Sequence, residues 1–254
     1  MLGVQDRISR TDTLSNVNDT FYTQLLQEWP YEPGKLSARL VHDSYGISRL
    51  QVRVELGILQ MELSGRPDGS ASTFESLPRS DFVAGSRTLD SEQCRVLHHE
   101  AAMYAYRALV CSSLELHEQV VADTSRNLDV MEFMIAHSQD DSPRQIALNL
   151  CVQLLMMRVR ARASQALSSD DRSLARTLLE AGLDEVKQAL QSTGFTGELE
   201  SATEIKLLRK MMDVLIPKLP SSQRHEMELR LKAAIEVENY ELAAILTNEL
   251  RQLF

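Results

Sequence analysis

The sequence predicts an α+β fold that is mainly α, with a small N-terminal antiparallel β module followed by antiparallel helical hairpins. Aromatic residues make up only 5 % of the 254 residues and glycine contributes 10, a composition that favours helices over strands. Two-residue alternation of apolar side chains is convincing only in residues 36–63. From about residue 91 onward the apolar spacing is helical.

Residues 1–34 are predicted to be a polar N-terminal arm that contains one short helix. Phe21, Leu25 and Trp29 recur every four residues, which is the spacing of one helical face. The segment WPYEPGK then ends this helix, because neither of its prolines can continue one.

Residues 35–64 are predicted to be a β-hairpin module around the turn segment HDSYGIS. Its apolar residues are Leu36, Ala38 and Leu40, then Leu50, Val52, Val54 and Leu56, and after a change of phase Leu59, Met61 and Leu63. A one-residue shift moves the buried set to the opposite face of a strand. We therefore expect a bulge or bend at Gly57-Ile58 within one long strand.

Residues 65–90 are rich in Ser, Gly and Pro and are predicted to be an exposed linker, with Phe74 and Phe82 as anchors. The composition makes this segment a candidate domain boundary.

Residues 91–220 are predicted to be a scaffold of helical hairpins. In residues 101–130, an aromatic residue and an Ala-Leu pair precede a turn near Leu114-Glu115, and a second amphipathic helix follows. This order resembles a tetratricopeptide repeat unit. Generic helical hairpins are the alternative interpretation.

The charge and the apolar runs limit the classes of function. A formal net charge of −9 argues against a large nucleic-acid interface, although Arg39, Arg49 and Arg53 leave a small basic patch near the β hairpin as an alternative. No apolar run reaches the roughly 20 residues of a bilayer span, and no secretory leader is recognisable. Three widely spaced cysteines are typical of reduced thiols. We expect a cytoplasmic protein that does not bind membranes.

No pattern of residues indicates catalysis, a metal or a cofactor. The run His98-His99-Glu100 lacks the HExxH spacing that places two histidines on one helical face. Cys94 and His98 lie four residues apart, but no second pair accompanies them. We therefore predict a non-enzymatic protein without a cofactor. The competing interpretation is an enzyme whose site lies between the β module and the helices.

The clearest pattern is the end of the chain, residues 221–254, which is predicted to be a helical hairpin. In its first helix Met227, Leu231, Ala234 and Ile235 share one face. Asn239 is a suitable N-cap for the second helix. The second helix carries a coiled-coil stripe that consists of Ala243, Leu246, Leu250 and Leu253.

Residues 229–253 also resemble the UVR motif, a short helical hairpin at the end of UvrB and inside UvrC that is found in some Clp chaperones and their regulators. The residues that carry the resemblance are Asn239-Tyr240-Glu241, Ala243-Ala244, Leu246 and Glu249-Leu250. This chain has Ile245 where a charge is usual, and Thr247-Asn248 where Arg-Asp is usual. The resemblance implies association between proteins, since the family hairpin pairs with another hairpin or docks on a partner.

The second helix is apolar over roughly half of its circumference, more than its partner helix can cover. The predicted partner-binding residues are Tyr240, Leu242, Ala243, Ile245, Leu246, Leu250 and Leu253. Another protein, a second copy of the chain, or its own helix with the sequence LLRKMMDVLI would cover them. The predicted function is that of a bacterial adaptor, linked to DNA repair through UvrB or UvrC or to Clp-type protein quality control.

Overall fold

The structure is a computed structural model that describes residues 23–83, 87–215 and 221–236, together with residues 242, 244, 246 and 247. For residues 221–226 it describes the backbone only. A three-stranded antiparallel sheet precedes a series of helices, which confirms the predicted α+β, mainly α class. The chain forms two compact units, Met1–Ala161 and Arg162–Phe254.

The first unit contains the sheet and the first helices. Its elements are β1 (Ser37–His42), β2 (Ser48–Val54), β3 (Gly57–Glu62), α1 (Ser80–Val83), α2 (Ser91–Ser113), α3 (His117–His137) and the greater part of α4 (Asp141–Ser168). Residues 23–28 are helical as well.

The second unit contains the end of α4 and the elements that follow it. These are α5 (Arg172–Ser192), a short 3₁₀ helix (Leu199–Ser201), α6 (Thr203–Leu215) and α7 (Ser221–Glu236). Residues 242, 244, 246 and 247 are helical. None of the helices in the described ranges is both long and apolar enough to cross a membrane.

The sheet has the order β1-β2-β3, with both neighbouring pairs antiparallel. The turn between β1 and β2 is held by Asp43, whose carboxylate accepts hydrogen bonds from the backbone N–H groups of Tyr45 and Ile47 at 2.9 Å each. Gly46 has φ of +79°, a conformation that glycine adopts without steric cost. The predicted hairpin turn HDSYGIS is therefore explained by its aspartate and its glycine.

The change of phase at Gly57 has a different cause from the predicted bulge. Val54 pairs with Gly57, so the two residues between them form a hairpin turn, and Leu56 is 91 % exposed. In this register Leu50 faces Met61, and both are buried on the same side. The prediction of one long, bulged strand is wrong: a two-residue turn shifts the numbering of the apolar residues without changing the buried face.

Two apolar clusters are formed by the described residues of the first unit. One cluster joins the sheet to the helices through Leu50, Val52, Met61, Ala108, Val110, Cys111, Val120 and Ala161. The other cluster consists of Phe74, Phe82, Leu89, Cys94, Leu97, Ala101, Leu128, Val130, Met131, Met134, Ala147 and Leu154.

The segment between the sheet and α2 contributes three of these core side chains. Phe74 and Phe82, the anchors expected from the sequence, are 3 % and 1 % exposed. Both rings meet Phe133 edge-on, with ring centroids 5.7 and 4.9 Å apart. Leu89 is buried, and its N–H donates to the carbonyl oxygen of His137 at 2.7 Å. This segment is therefore packed against α3.

In the second unit, α5, the 3₁₀ helix and α6 are joined by both apolar packing and charge. Leu179, Val186 and Leu208 are among the buried side chains. One carboxylate, that of Glu200, meets a lysine of α5 at 3.1 Å and an arginine of α6 at 2.5 Å. Such exposed pairs contribute little free energy individually, so the apolar contacts hold this part together.

The turn between α2 and α3 contains Glu115 in a left-handed conformation, with φ of 58°. This conformation costs about 1–2 kcal/mol for a residue with a Cβ atom. We expect Glu115→Gly to raise the free energy of unfolding by up to about 1 kcal/mol, because glycine adopts the conformation freely but gains entropy when unfolded. Urea unfolding followed by circular dichroism measures the change.

Ala122→Gly is the matched control, because Ala122 is exposed in the interior of α3. The same type of substitution should there lower the free energy of unfolding by about 1 kcal/mol. Destabilisation of similar size by both glycines would contradict the strained-turn explanation.

Candidate functional site

The predicted partner-binding surface is described in part. Of its seven residues, Leu242 and Leu246 lie within the described part of the chain. The other five, Tyr240, Ala243, Ile245, Leu250 and Leu253, lie outside it, as does the predicted N-cap Asn239.

Leu246 packs on the predicted face of α7. It is 8 % exposed and forms a cluster with Ala234, Met227 and Leu231. Ile235, which the spacing also placed on this face, is 53 % exposed. One residue is a rotation of about 100° on a helix, so Ala234 and Ile235 do not both point at Leu246.

Leu242 lies one helical turn before Leu246 but is 43 % exposed. On α7, Leu229 is 53 % exposed. The predicted intramolecular cover, LLRKMMDVLI, belongs mostly to α6, and the described apolar cluster on α7 contains no residue of α6. Within the described part of the hairpin, Leu246 therefore makes an apolar contact with α7, whereas Leu229 and Leu242 remain about half exposed.

A second candidate surface is a cleft of about 280 Å³ in the first unit, beside β3. Its lining residues are Leu59, Gln60 and Met61 of β3, Pro67 and Asp68 of the following turn, and His99, Ala102, Met103 and Tyr106 of α2. Consecutive side chains of a strand point to opposite faces. Three consecutive lining residues therefore place the cleft at the edge of β3 rather than over one face of the sheet.

Buried charges hold the chain that follows β3. Arg107 and Asp123 are almost fully buried and form a two-point ion pair, with N···O distances of 2.9 and 2.7 Å. Arg107 Nη1 also donates to the carbonyl oxygens of Glu62 and Gly65, at 2.8 Å each. One guanidinium therefore connects the end of β3 to both α2 and α3.

Glu100 forms the second part of this buried charge network. Its carboxylate accepts hydrogen bonds from the Ser72 hydroxyl and the Thr73 backbone N–H, both at 2.7 Å, and pairs with Arg126. Arg66 Nη1 approaches it at 3.5 Å. Burial raises the pKa of Glu100, but the hydrogen bonds and the charge of Arg126 outweigh burial, so its pKa lies below the ordinary 4.5.

An aromatic ring links the two parts of the network. The guanidinium carbon of Arg126 lies 3.9 Å from the ring centroid of Tyr104, and that of Arg107 lies 5.0 Å from it. Such cation–π contacts strengthen when they are shielded from water. The sequence interpretation missed this network, although Glu100, Tyr104 and Arg107 are spaced by four and three on one helical face. The signal in the sequence was that the charged residues Glu100 and Arg107 share a helical face with apolar residues, which indicates buried charges that need partners.

The basic patch of the alternative nucleic-acid interpretation is largely committed to structural contacts. Arg53 is 8 % exposed and donates to the carbonyl oxygens of Trp29 and Gly57. Arg49 pairs with two carboxylates, at 2.7 and 2.8 Å. Arg39 lies over the Trp29 ring, 4.2 Å from its centroid. These contacts neutralise or occupy the charge that a phosphate backbone would need.

The described side chains offer little to metal or thiol chemistry. No group of three or more His, Cys, Asp or Glu residues is placed to hold a metal ion within the described ranges. Burial raises the pKa of Cys111 to about 12 and that of Cys151 to about 11. Both groups are therefore thiols at neutral pH, whereas the thiolate is the reactive form.

No protein-family model, no curated protein and no solved structure matches this chain. The resemblance to the UVR motif therefore stays a prediction, based on the residues that carry it.

The lowered pKa of Glu100 makes the stability of the first unit depend on pH. At pH 7 we expect Glu100→Gln to lower the free energy of unfolding by about 2–3 kcal/mol, because hydrogen bonds to a charged group are lost. The folded pKa lies below the unfolded one, so this contribution is present above about pH 4.5 and is lost as the pH falls further. Urea unfolding from pH 7 to pH 3, followed by the fluorescence of the single tryptophan, Trp29, measures it.

Glu92→Gln is the matched control, because Glu92 is an exposed carboxylate on the same helix and pairs with the exposed Arg95. It should change the unfolding midpoint little at any pH. An effect of Glu100→Gln that stays constant from pH 7 to pH 3 would contradict the assignment of a buried, ionised Glu100.

Proposed function

We propose that this chain is an adaptor protein whose C-terminal UVR-type hairpin binds another protein. One observation carries the proposal, the unequal burial of two leucines one helical turn apart. Leu246 is 8 % exposed and packs on α7, whereas Leu242 is 43 % exposed. The hairpin therefore has an internal contact and, beside it, apolar surface available to a partner.

Three apolar side chains of the described hairpin residues are about half exposed. Leu229, Ile235 and Leu242 are each between 43 % and 53 % exposed. Full burial of one such side chain contributes about 1.5–3 kcal/mol relative to full exposure. Covering the exposed half of all three would supply a few kcal/mol, enough for them to be anchors of a protein interface.

The nature of the partner follows from the resemblance and from the charge. The UVR hairpin family associates with proteins, and the net charge of −9 disfavours direct contact with nucleic acid. UvrB or UvrC, in nucleotide excision repair, is the first candidate class of partner. A Clp-type chaperone, in protein quality control, is the alternative.

The competing enzyme interpretation has weaker support from the described residues. It places a catalytic site between the β module and the helices, where the structure has the cleft beside β3. The lining of that cleft is mainly apolar, and an acid–base or nucleophilic mechanism needs convergent polar groups. Docking through the hairpin is therefore the function that we propose.

Isothermal titration calorimetry of the full chain against purified UvrB, UvrC and a Clp ATPase tests the proposal and distinguishes its two contexts. Saturable binding of UvrB or UvrC would support the repair context, and binding of the Clp ATPase the quality-control context. Sedimentation velocity would identify a second copy as the partner. Absence of all these associations would contradict the proposal.

Substitutions at the two leucines separate an interface role from a structural one. We expect Leu242→Asp to preserve the helical circular dichroism signal but to weaken partner binding about tenfold or more, because a charge replaces an exposed apolar anchor. Leu246→Asp should reduce the helical signal itself, because it buries a charge in the hairpin contact. Calorimetry and circular dichroism on both variants measure these effects.

Leu56→Asp is the control, because Leu56 is 91 % exposed in the turn of the first unit. It should leave partner binding unchanged. Wild-type affinity in Leu242→Asp would show that the exposed leucine is not part of the interface.

A further inference from the structure

We propose that the cleft beside β3 is a peptide-binding site, in which an extended segment of another protein adds to the sheet as a fourth strand. The segment places an apolar side chain in the cleft and a basic residue next to it. This site lies in the first unit and is independent of the C-terminal hairpin. An adaptor needs two docking sites, but the inference rests on β3, the turn that follows it and α2, and not on the proposed function of the hairpin.

The backbone of β3 specifies an extended occupant. The N–H of Glu62 donates to the carbonyl oxygen of Pro67 at 2.9 Å, so this amide points away from β2. Backbone groups of a strand alternate in direction with a period of two. The N–H and C=O groups of Ile58 and Gln60 therefore point the same way, and no described residue bonds them.

The turn after β3 limits where a fourth strand can add. At Glu62 the outward N–H is bonded to Pro67, and the outward C=O accepts from Arg107 at 2.8 Å. The open part of the edge is therefore residues 58–60, next to the cleft. This stretch contains no charged residue, although charges are a common protection of exposed strand edges. Such an edge is suited to strand addition.

The lining and the volume of the cleft indicate which side chain of the bound segment fits into it. Ala102, Met103 and Tyr106 line one wall from α2, and Leu59 and Met61 line the other from β3. Its volume of about 280 Å³ exceeds the roughly 150 Å³ of an engineered apolar cavity that holds benzene. One side chain of the size of leucine or phenylalanine therefore fits.

Asp68 favours a basic residue in the bound segment. Among the lining residues it is the one with a formal charge at neutral pH when histidine is neutral. Its Oδ1 accepts from the N–H of Ser70 at 3.0 Å and faces Arg66 at 3.1 Å, while Oδ2 has no partner among the described residues. Asp68 lines the cleft, so its Oδ2 is placed to accept a hydrogen bond from a lysine or arginine of the bound segment.

The probe is a fluorescein-labelled peptide of eight residues, with β-branched residues around a central Leu-Thr-Arg sequence, because residues two apart share one face of a strand. Fluorescence anisotropy with the full chain measures its affinity. We expect saturable binding that weakens about tenfold or more when the leucine is replaced by serine or when alternate backbone amides are methylated. Replacement of the arginine by glutamate should also weaken binding, and more strongly at low salt.

Variants of the protein test each part of the site. Ile58→Pro removes an outward N–H without touching the ladder with β2, and should weaken binding about tenfold. Ala102→Arg fills the cleft from an exposed helix position and should have at least the same effect. Asp68→Asn should remove the preference for the arginine peptide over the glutamate peptide, while its Oδ1 still accepts from Ser70.

Ala122→Arg is the matched control for Ala102→Arg, because it adds the same side chain to an exposed position of α3 outside the cleft. It should leave binding unchanged. If Ile58→Pro lowers the melting temperature, its loss of binding is not informative. The comparison of Ala102→Arg with Ala122→Arg then decides whether the peptide occupies the cleft. Leu242→Asp should also bind the peptide normally, which separates this site from the hairpin.

Three results would overturn the proposal. The first is absence of saturable binding by the Leu-Thr-Arg peptide. The second is equal affinity of the wild type and Ala102→Arg. The third is a dimer in sedimentation velocity that Ala102→Arg dissociates, which would make a second copy of the chain the occupant of the cleft.

Discussion

The buried ion pair of Arg107 and Asp123 is the interaction on which the first unit depends. A charge pair without water is stable only when every hydrogen-bonding group finds a partner, and removal of one member of such a pair commonly costs about 3–5 kcal/mol. Here the remaining donor of Arg107 is used by the carbonyl oxygens of Glu62 and Gly65. The pair therefore determines where the chain goes after the sheet ends. Glu100 extends the same arrangement to the following loop.

This arrangement explains why β3 has two different ends. Near Glu62 the edge of the strand is occupied by Arg107 and by the turn at Pro67, which the buried charges hold in position. At Ile58 and Gln60 the edge has no such cover among the described residues. The cleft forms between this open edge and α2. The contacts that stabilise the fold thus also bound the cleft that we propose as a peptide-binding site, and the proposed docking surface of the C-terminal hairpin belongs to the other unit.

Local features of the structure were predictable from the sequence, and features that depend on distant contacts were not. Helical spacing correctly indicated the helices and the turn at Glu115, because the period of a helix is a local property. The change of phase at Gly57 was misinterpreted, because alternation shows which residues share a strand face but not which strands pair. The sequence indicated Phe74 as an anchor of the segment after the sheet, but not that Phe133 of α3 is its partner, because that contact joins distant parts of the chain. For the hairpin, the sequence indicated which residues are apolar. Only the fold shows that Leu246 is buried whereas Leu242 is partly exposed.

The central claim is that the edge of β3 is occupied at Glu62, next to the buried charges, but open at Ile58 and Gln60, beside the cleft. Native-state hydrogen exchange of the backbone amides in β3 tests this claim most directly. The amides of Leu59 and Met61 bond to β2, and that of Glu62 bonds to Pro67. We therefore expect these three to be protected and the amides of Ile58 and Gln60 to exchange rapidly. Uniform protection of residues 58–62 in the free protein would contradict the account, because it would mean that the edge is already covered.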